Sequence, residues 1–234
     1  MNEMMPVAEL ISDKLPVTLW LAALAFIIII VVSIPLGVLW AGSKSRILDG
    51  IIGFLTQLSM AVPSFFLGII ITYIFGIILR VFTPGSYISY KDNFIGFIGY
   101  LIFPAISIAI PKIAMIARFL RNSMLEQMDS DYVRTAYSKG CTRKRALFVH
   151  ALKNAMMPVL TVIGMVIAEI VAGSIVVEQV FGLPGIGRLL ISSISTRDLP
   201  VVEILVLYIA FVIIFVYFII DILYRVIDPR VSSR

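Results

Sequence analysis

The sequence predicts an all-α polytopic membrane protein with five spans, from its composition, the lengths of its apolar stretches and the placement of its basic residues. Of the 234 residues, 60% are hydrophobic and 14% are charged, which is more apolar surface than a soluble domain can bury. A span needs about 20 predominantly apolar residues to cross the hydrocarbon layer. The stretches that qualify are Thr18–Ala41, Ile51–Leu79, Phe94–Ala117, Pro158–Phe181 and Leu199–Tyr224.

Basic residues alternate between successive connections and so predict the topology. Fourteen of the 19 Lys and Arg residues fall in the loop 41–50, the central polar region and the C-terminal tail, and five fall in the other connections. Because short basic loops stay in the cytoplasm, the N-terminus is expected outside and the C-terminus inside. This distribution also accounts for the net charge of +5, so no nucleic-acid partner is needed to explain it.

The first 17 residues are predicted to be an extracytoplasmic lead-in to the first span. Three acidic residues, Glu3, Glu9 and Asp13, stand there against Lys14. A signal peptide would begin with the opposite charge.

The central polar region predicts two short helices separated by a glycine. Asp129 or Ser130 can cap a helix over Asp131–Lys139, and Gly140 can end it in a left-handed conformation. Thr142 can cap a second helix that runs to about Met157, after which Pro158 is expected to open the next span.

The first of these helices has one apolar face, formed by Tyr132, Val133, Ala136 and Tyr137. A helix this short is not stable alone in water, so its apolar face must pack against something. The lipid headgroup layer, the chain's own spans and a groove on another protein all remain open as partners.

The span over Pro158–Phe181 carries small residues every fourth position, at Gly164, Ala168 and Ala172. Small residues at this spacing let two helices approach closely in lipid. We therefore predict a helix-packing face here, with a partner either within the chain or across a dimer.

Two carboxylates in the same span, Glu169 and Glu178, are candidates for lining a pathway through the membrane. Glu169 lies near the middle of the span, where a charge is costly unless it faces protein or water. Glu178 lies nearer the outer end. For Glu169, a protonated or hydrogen-bonded side chain at a helix contact is an equally open interpretation. Near the last span's cytoplasmic end, Asp221 is expected to pair with Arg225 at i+4.

Catalytic and metal chemistry have little support in the sequence. One cysteine, Cys141, and one histidine, His150, cannot form a zinc site by themselves. No cofactor or metal is expected. The chain also lacks a Gly-x-x-x-x-Gly-Lys-Ser/Thr loop, so we expect it not to be an enzyme.

The central region resembles the coupling loop of binding-protein-dependent ABC permeases, in the version of the dipeptide, oligopeptide and nickel branch. The similarity covers the runs 131–140 and 145–154 and Pro158. Arg134–Ala136 and Gly140 stand where the general family has Glu-Ala-Ala and its glycine, and His150–Lys153 stand where it has Ile-x-Leu-Pro. The segments 63–68, 181–188 and 228–230 are also similar to the family.

The resemblance implies a five-span type I ABC importer permease core over residues 18–228, with a coupling loop at 129–157 and a cytoplasmic tail at 229–234. It implies translocation of di- or oligopeptides, or of nickel or other metal chelates, across the cytoplasmic membrane of a prokaryote. The implied partners are separate ATPase subunits, a second homologous permease in a heterodimer, and a solute-binding protein that meets the outer loops at Thr83–Asn93 and Gly182–Asp198. The residues assigned to ATPase coupling are Asp131, Tyr132, Val133, Arg134, Thr135, Ala136, Lys139, Gly140, His150 and Lys153.

Two departures from the family qualify these expectations. Members of this branch usually have a further N-terminal span, so the chain is expected to be truncated at its start or to be a natural short form. Glu169 stands where the family more often has a small residue, which would favour cationic cargo. The alternative function is an ion-coupled secondary transporter, but it would need inverted repeats and discontinuous spans, and the sequence shows no convincing repeat.

Overall fold

The computed structural model describes residues 7–227, and the regular structure of these residues is helical throughout. The prediction of an all-α polytopic membrane protein is confirmed. The α-helices are α1 (Val7–Gly42), α2 (Arg46–Ala61), α3 (Ser64–Ile71), α4 (Phe94–Met128), α5 (Asp131–Ser138), α6 (Arg143–Arg145), α7 (Leu152–Phe181), α8 (Ile186–Ser195) and α9 (Leu199–Ile227), with π-helical segments at Thr72–Ile78 and Ala146–Ala151.

Four helical segments of the described chain are long and apolar enough to cross a membrane: Glu9–Gly42, Phe94–Met128, Arg143–Phe181 and Leu199–Ile219. A fifth crossing requires α2, α3 and the π-helical segment after them to act together as one broken span. The predicted Asp221–Arg225 pair and the tail 229–234 lie outside the described residues and side chains.

The predicted second span, Ile51–Leu79, is a broken helix, with the interruption at Pro63. Arg46–Ala61 and Ser64–Ile78 meet at a bend of 100°. Val62 and Pro63 are extended, with ψ angles of 123° and 143°. Because proline lacks an N–H and pushes the preceding residue out of the helical region, the chain breaks here.

The N-terminal segment is helical from Val7 and continuous with the first predicted span. Helix α1 includes both Pro16 and Pro35. The placement of this segment outside the membrane stays a prediction.

The fourth predicted span does not begin at its proline. Pro158 was expected to open that span, but it lies inside α7, and the helical path runs without a break from Arg143 to Phe181. In a membrane helix, neighbouring groups can satisfy the backbone positions that a proline leaves free, so the helix continues through it.

Helix α4 lies at the centre of the bundle and packs against α1, α2, α3 and α7. Leu101, Ile108 and Ile116 on α4 are fully buried, as are Leu21 on α1 and Val166 on α7.

The contact between α1 and α4 depends on a glycine. A Cβ added at Gly37 would lie 2.9 Å from the Ala117 carbonyl oxygen, so the absence of a side chain permits the close approach.

Helix α9 lies on the outside of the bundle. Its inner contacts are made by Val201 and Leu205, whereas its exposed side chains include Leu207, Phe211 and Ile214. Apart from Glu203 near its start, the exposed positions described on α9 are apolar or aromatic. This surface suits contact with lipid.

Candidate functional site

The helix–glycine–helix arrangement of the central region is present. Helix α5 ends at Ser138, Lys139 is its C-cap, and Gly140 has a φ of +82°. Thr142 is the N-cap residue of α6, and its hydroxyl accepts a hydrogen bond of 3.4 Å from the Arg145 N–H. Ser130 is the N-cap residue of α5, but its hydroxyl donates to the Gln127 carbonyl (2.5 Å) instead of accepting from α5.

Helix α5 is anchored on the chain itself by one side of its apolar face. Val133 is fully buried, and α5 packs against the π-helical segment Ala146–Ala151. The Tyr132 hydroxyl donates to the Gln127 side-chain oxygen at 2.9 Å and lies 3.4 Å from the His150 carbonyl oxygen. Of the partners left open by the sequence, the chain's own helices therefore account for Val133.

The rest of the predicted coupling residues lie at or near the surface. Tyr132 is 38% exposed, Asp131 and Arg134 form a surface ion pair of 3.6 Å, and Lys153 is exposed on α7. An open groove of about 400 Å³ is lined by Tyr132, Thr135, Ala136, Lys139, Gly140, Cys141, Arg145 and His150. The structure thus brings most of these residues together on one accessible surface.

The loops expected on the outer side lie against each other. The Tyr100 hydroxyl donates to the Phe181 carbonyl oxygen at 2.7 Å and accepts from the Gly85 N–H at 3.0 Å. Gly182, with a φ of +68°, ends α7, and a Cβ placed on it would lie 3.5 Å from Gly85 Cα. The segments 83–93 and 182–198 therefore present a common surface.

Glu169 does not stand alone. The Lys112 ammonium on α4 donates to the Glu169 carboxylate on α7. The side chains remain 24% and 46% exposed, respectively. The sequence does not predict this pair, because the two residues are 57 positions apart and meet only when α4 packs on α7. A carboxylate already paired with a lysine no longer argues for cationic cargo.

Glu169 belongs to a stripe of exposed positions along α7. These positions, which we call the α7 stripe, are Asn154, Met157, Pro158, Thr161, Met165, Glu169, Ala172, Val176 and Gln179. Four of the nine side chains are polar, a larger share than on the exposed surface of α9. Polar groups at membrane depth normally face protein or water, so the α7 stripe is unsuited to lipid.

The predicted stripe of small residues divides between two surfaces. Gly164 and Ala168 are buried within the bundle, whereas Ala172 is exposed. Four residues advance a helix by about 400°, so each step rotates the position by about 40°, and Ala172 turns out of the buried face. Gly164 and Ala168 therefore pack within the chain, whereas packing of Ala172 against a partner across a dimer stays a prediction.

Glu178 is sealed inside the protein, with no exposed surface. Its carboxylate accepts hydrogen bonds from the Thr18 hydroxyl (2.6 Å) and from the N–H groups of Gly187 (2.8 Å) and Arg188 (3.2 Å). The Thr18 hydroxyl oxygen in turn accepts from the Ile186 N–H at 2.9 Å. The carboxylate therefore caps the N-terminus of α8, where backbone N–H groups favour an anion.

Two glycines make the Glu178 contact possible. A Cβ at Gly185 would lie 2.3 Å from the carboxyl carbon of Glu178, and a Cβ at Gly187 would lie 2.3 Å from Ile175 Cα. In this structure Glu178 holds α1, α7 and α8 together and does not line an open pathway. The glycines that follow it were the available sequence signal for this role.

A second charged cluster, at the junction of α1, α2 and α4, was also missed. Asp49 accepts hydrogen bonds from the indole N–H of Trp40 (2.7 Å) and from the Arg121 guanidinium (2.5 Å). The guanidinium lies 4.8 Å from the centre of the Trp40 ring. Arg118, one turn earlier, donates to the Gln57 side-chain oxygen. These contacts fix α2 on α4.

Within residues 7–227, the structure shows no group of three or more His, Cys, Asp or Glu side chains that could hold a metal ion.

The same fold occurs in solved ABC importers. The chain superimposes on a subunit of the MetNI methionine ABC transporter in inward-facing conformations with a TM-score of 0.72, 15% identity, and coverage of 97% of this chain and 100% of that one. An amino acid ABC transporter gives 0.71 and 17% identity, with 93% and 94% covered. This likeness establishes the fold, a bundle of membrane-length helices.

Family membership follows from the sequence comparison. The chain belongs to the family described as binding-protein-dependent transport system inner membrane component, whose pattern matches residues 33–233. It is 42% identical to a putative peptide transport system permease protein of Brucella abortus and 38% identical to the oligopeptide transport system permease protein AppB of Bacillus subtilis, in each case over 97% of this chain and 72% of the relative. It is 35% identical to the dipeptide transport system permease protein DppB of Escherichia coli, over 100% of this chain and 76% of that protein.

Permeases of this class are transport subunits and work in general with an ATPase and a binding protein. The sequence resemblance is thereby confirmed at the level of the permease family.

Proposed function

We propose that this chain is the translocating permease subunit of a peptide importer, coupled to separate ATPase subunits through α5 and the adjoining groove. The proposal rests on the way α5 packs against the chain on one side and remains accessible on the other. Val133 is fully buried against the chain, while Thr135 and Ala136 line the open groove beside it. A surface helix fixed on one side and accessible on the other suits docking into a partner protein.

Movement at this surface has a direct route into the membrane. The π-helical segment that supports α5 continues into α7, and α7 carries Glu169 and the α7 stripe. A displacement of α5 by ATP-driven closure of two ATPase subunits would therefore tilt the helix that carries these polar residues.

Peptides are the cargo that the comparisons favour, because the relatives above are named as peptide, oligopeptide and dipeptide permeases. Nickel or another metal chelate is less well supported. The relatives named above are peptide permeases, and the carboxylate of Glu169, which would have favoured cationic cargo, is paired with Lys112.

Two further partners are proposed, one for the outer loops and one for the α7 stripe. A solute-binding protein would deliver the peptide at the joined outer loops 83–93 and 182–198, with the N-terminus outside and the C-terminus in the cytoplasm. A second, homologous permease would face the α7 stripe across the pathway, which would remove these polar side chains from lipid.

The test is peptide uptake and ATPase capture with a variant in the groove. Ala136→Glu should place a charge in the groove and abolish both co-purification of the ATPase and uptake of labelled dipeptide. Ser138→Glu is the matched control, because Ser138 is exposed on α5 outside the groove. Uptake that persists without any ATPase would contradict the proposal and favour ion-coupled transport.

A further inference from the structure

We propose that Lys112 and Glu169 form an exchangeable ion pair that binds the two charged termini of a short peptide on its way through the membrane. This inference rests on the proposed function and adds the chemical feature of the peptide that the pathway recognises.

The Lys112–Glu169 pair joins two membrane-length helices. Lys112 lies in the middle part of the 35-residue α4 and Glu169 in the middle part of the 30-residue α7. Both residues fall inside predicted spans, Lys112 near the cytoplasmic end of Phe94–Ala117 and Glu169 near the middle of Pro158–Phe181. A charge within a span is costly unless it faces protein or water.

Both members of the pair are partly accessible. The Glu169 side chain is 46% exposed and Lys112 is 24% exposed, in contrast to Glu178, which is fully enclosed nine residues further along α7. The Lys112–Glu169 pair therefore opens onto the α7 stripe. If the pair were purely structural, we would expect the Glu169 carboxylate to be buried and to accept several hydrogen bonds from the chain, as the Glu178 carboxylate does.

The two termini of a peptide can replace the internal partners of Lys112 and Glu169. A peptide with free ends carries one carboxylate and one ammonium group. Lys112 can donate to that carboxylate while Glu169 accepts from that ammonium. Lys112 thus exchanges one carboxylate partner for another, and Glu169 exchanges one ammonium partner for another. Because no charge is left unpaired at any stage, the exchange avoids the large cost of an isolated ion in a low-dielectric site.

Peptide length is consistent with this arrangement. Two extended residues span at most about 7 Å, and the flexible four-carbon stem of lysine allows the two side chains to separate by such a distance. The site thus favours short peptides with both termini free. Blocking either terminus leaves one member of the pair without a partner.

The experiment is competition binding to the assembled transporter in lipid nanodiscs, without added binding protein. Labelled dialanine is displaced by unlabelled dialanine, by its N-acetyl derivative and by its C-terminal amide. With the wild-type chain, dialanine should compete about tenfold better than either derivative, since each loses one charge-assisted hydrogen-bonded pair.

The variants should give mirror-image results. Lys112→Gln should erase the preference over the amide and keep the preference over the N-acetyl peptide. Glu169→Gln should do the reverse. Arg118→Gln is the matched control on α4, because Arg118 pairs with Gln57 and lies away from the ion pair.

Two outcomes would overturn the inference while leaving the proposed function intact. One is dipeptide uptake that depends on this chain although the wild-type transporter shows no specific dialanine binding. The other is an equal loss for all three competitors in both variants, as a packing contact or a permease–permease contact would give. Dipeptide uptake that does not require this chain would overturn the proposed function as well.

Discussion

The Glu178 carboxylate accepts a hydrogen bond of 2.6 Å from the Thr18 hydroxyl, 160 positions earlier in the chain. The same carboxylate caps the first turn of α8 through the N–H groups of Gly187 and Arg188. One buried side chain thus joins α1 and α7, the first and third membrane-length helical segments, to the short helix α8.

Removal of the Glu178 carboxylate should destabilise the permease. Glu178→Ala leaves the Thr18 hydroxyl and two N–H groups buried without their acceptor, which should cost about 2–4 kcal/mol in the free energy of unfolding. The change should appear as a lower midpoint in thermal unfolding of the detergent-purified protein. Glu203→Gln, at an exposed position on α9, is the control and should leave the midpoint unchanged. An unaltered midpoint in Glu178→Ala would show that the contact does not stabilise the fold.

The glycines that receive Glu178 should not tolerate a side chain. Gly187→Ala would place a Cβ 2.3 Å from Ile175 Cα, which is backbone and cannot rotate away. We expect α8 to shift off α7, with lower thermal stability and faster proteolysis at the 182–198 segment. Gly99→Ala is the matched control, because nothing lies within 4 Å of the added Cβ. A helical Gly→Ala change at an open position stabilises by about 1 kcal/mol. Equal behaviour of the two variants would argue against close packing at Gly187.

The Trp40–Asp49–Arg121 cluster should act as a unit. Arg121→Gln removes both the ion pair and the cation–π contact, which together should cost about 1–2 kcal/mol. Asp49→Asn should cost less than this. The double variant should be more stable than the sum of the two single effects predicts, since the residues share one contact. Thermal unfolding of the four proteins gives the coupling, and strict additivity would disprove it.

The turn at Gly140 should tolerate only residues that adopt a positive φ. Gly140 has a φ of +82° and open space around its Cα, so the cost of Gly140→Ala is backbone strain alone, about 1–2 kcal/mol. That cost should misalign α5 with α6 and reduce the ATPase that co-purifies. Gly140→Asn should retain most of it, because asparagine enters the left-handed region more readily. Identical capture by the Ala and Asn variants would remove the conformational explanation.

Local features of the structure were the most predictable from the sequence. The positions of Gly140 and Thr142 follow from short-range hydrogen bonding, and the sequence predicted both. The helices of the spans likewise follow from uninterrupted apolar composition. The prolines were harder, because Pro63 breaks a span whereas Pro158 lies within an unbroken one. The outcome at a proline depends on which neighbouring groups can satisfy the backbone, and those neighbours are distant in the chain.

The polar contacts between helices could not be predicted for the same reason. Glu169 was identified as a costly residue, but its partner Lys112 is fixed only by the packing of α4 on α7. The sequence predicts Glu178 as a pathway candidate because it does not reveal the contact with Thr18. That contact forms only when α1, α7 and α8 have assembled. A single sequence predicts that such charges need partners, and the fold determines which partners they receive.

The unbroken helical path from Arg143 to Phe181 has a mechanical consequence. Its 39 residues correspond to a rod of about 58 Å at 1.5 Å per residue. A pivot of only 5° at one end of such a rod would carry the other end through about 5 Å, comparable to the width of a peptide backbone. Small angular changes beside the cytoplasmic helices would therefore be amplified into displacements large enough to open or shut a passage at the opposite face of the membrane.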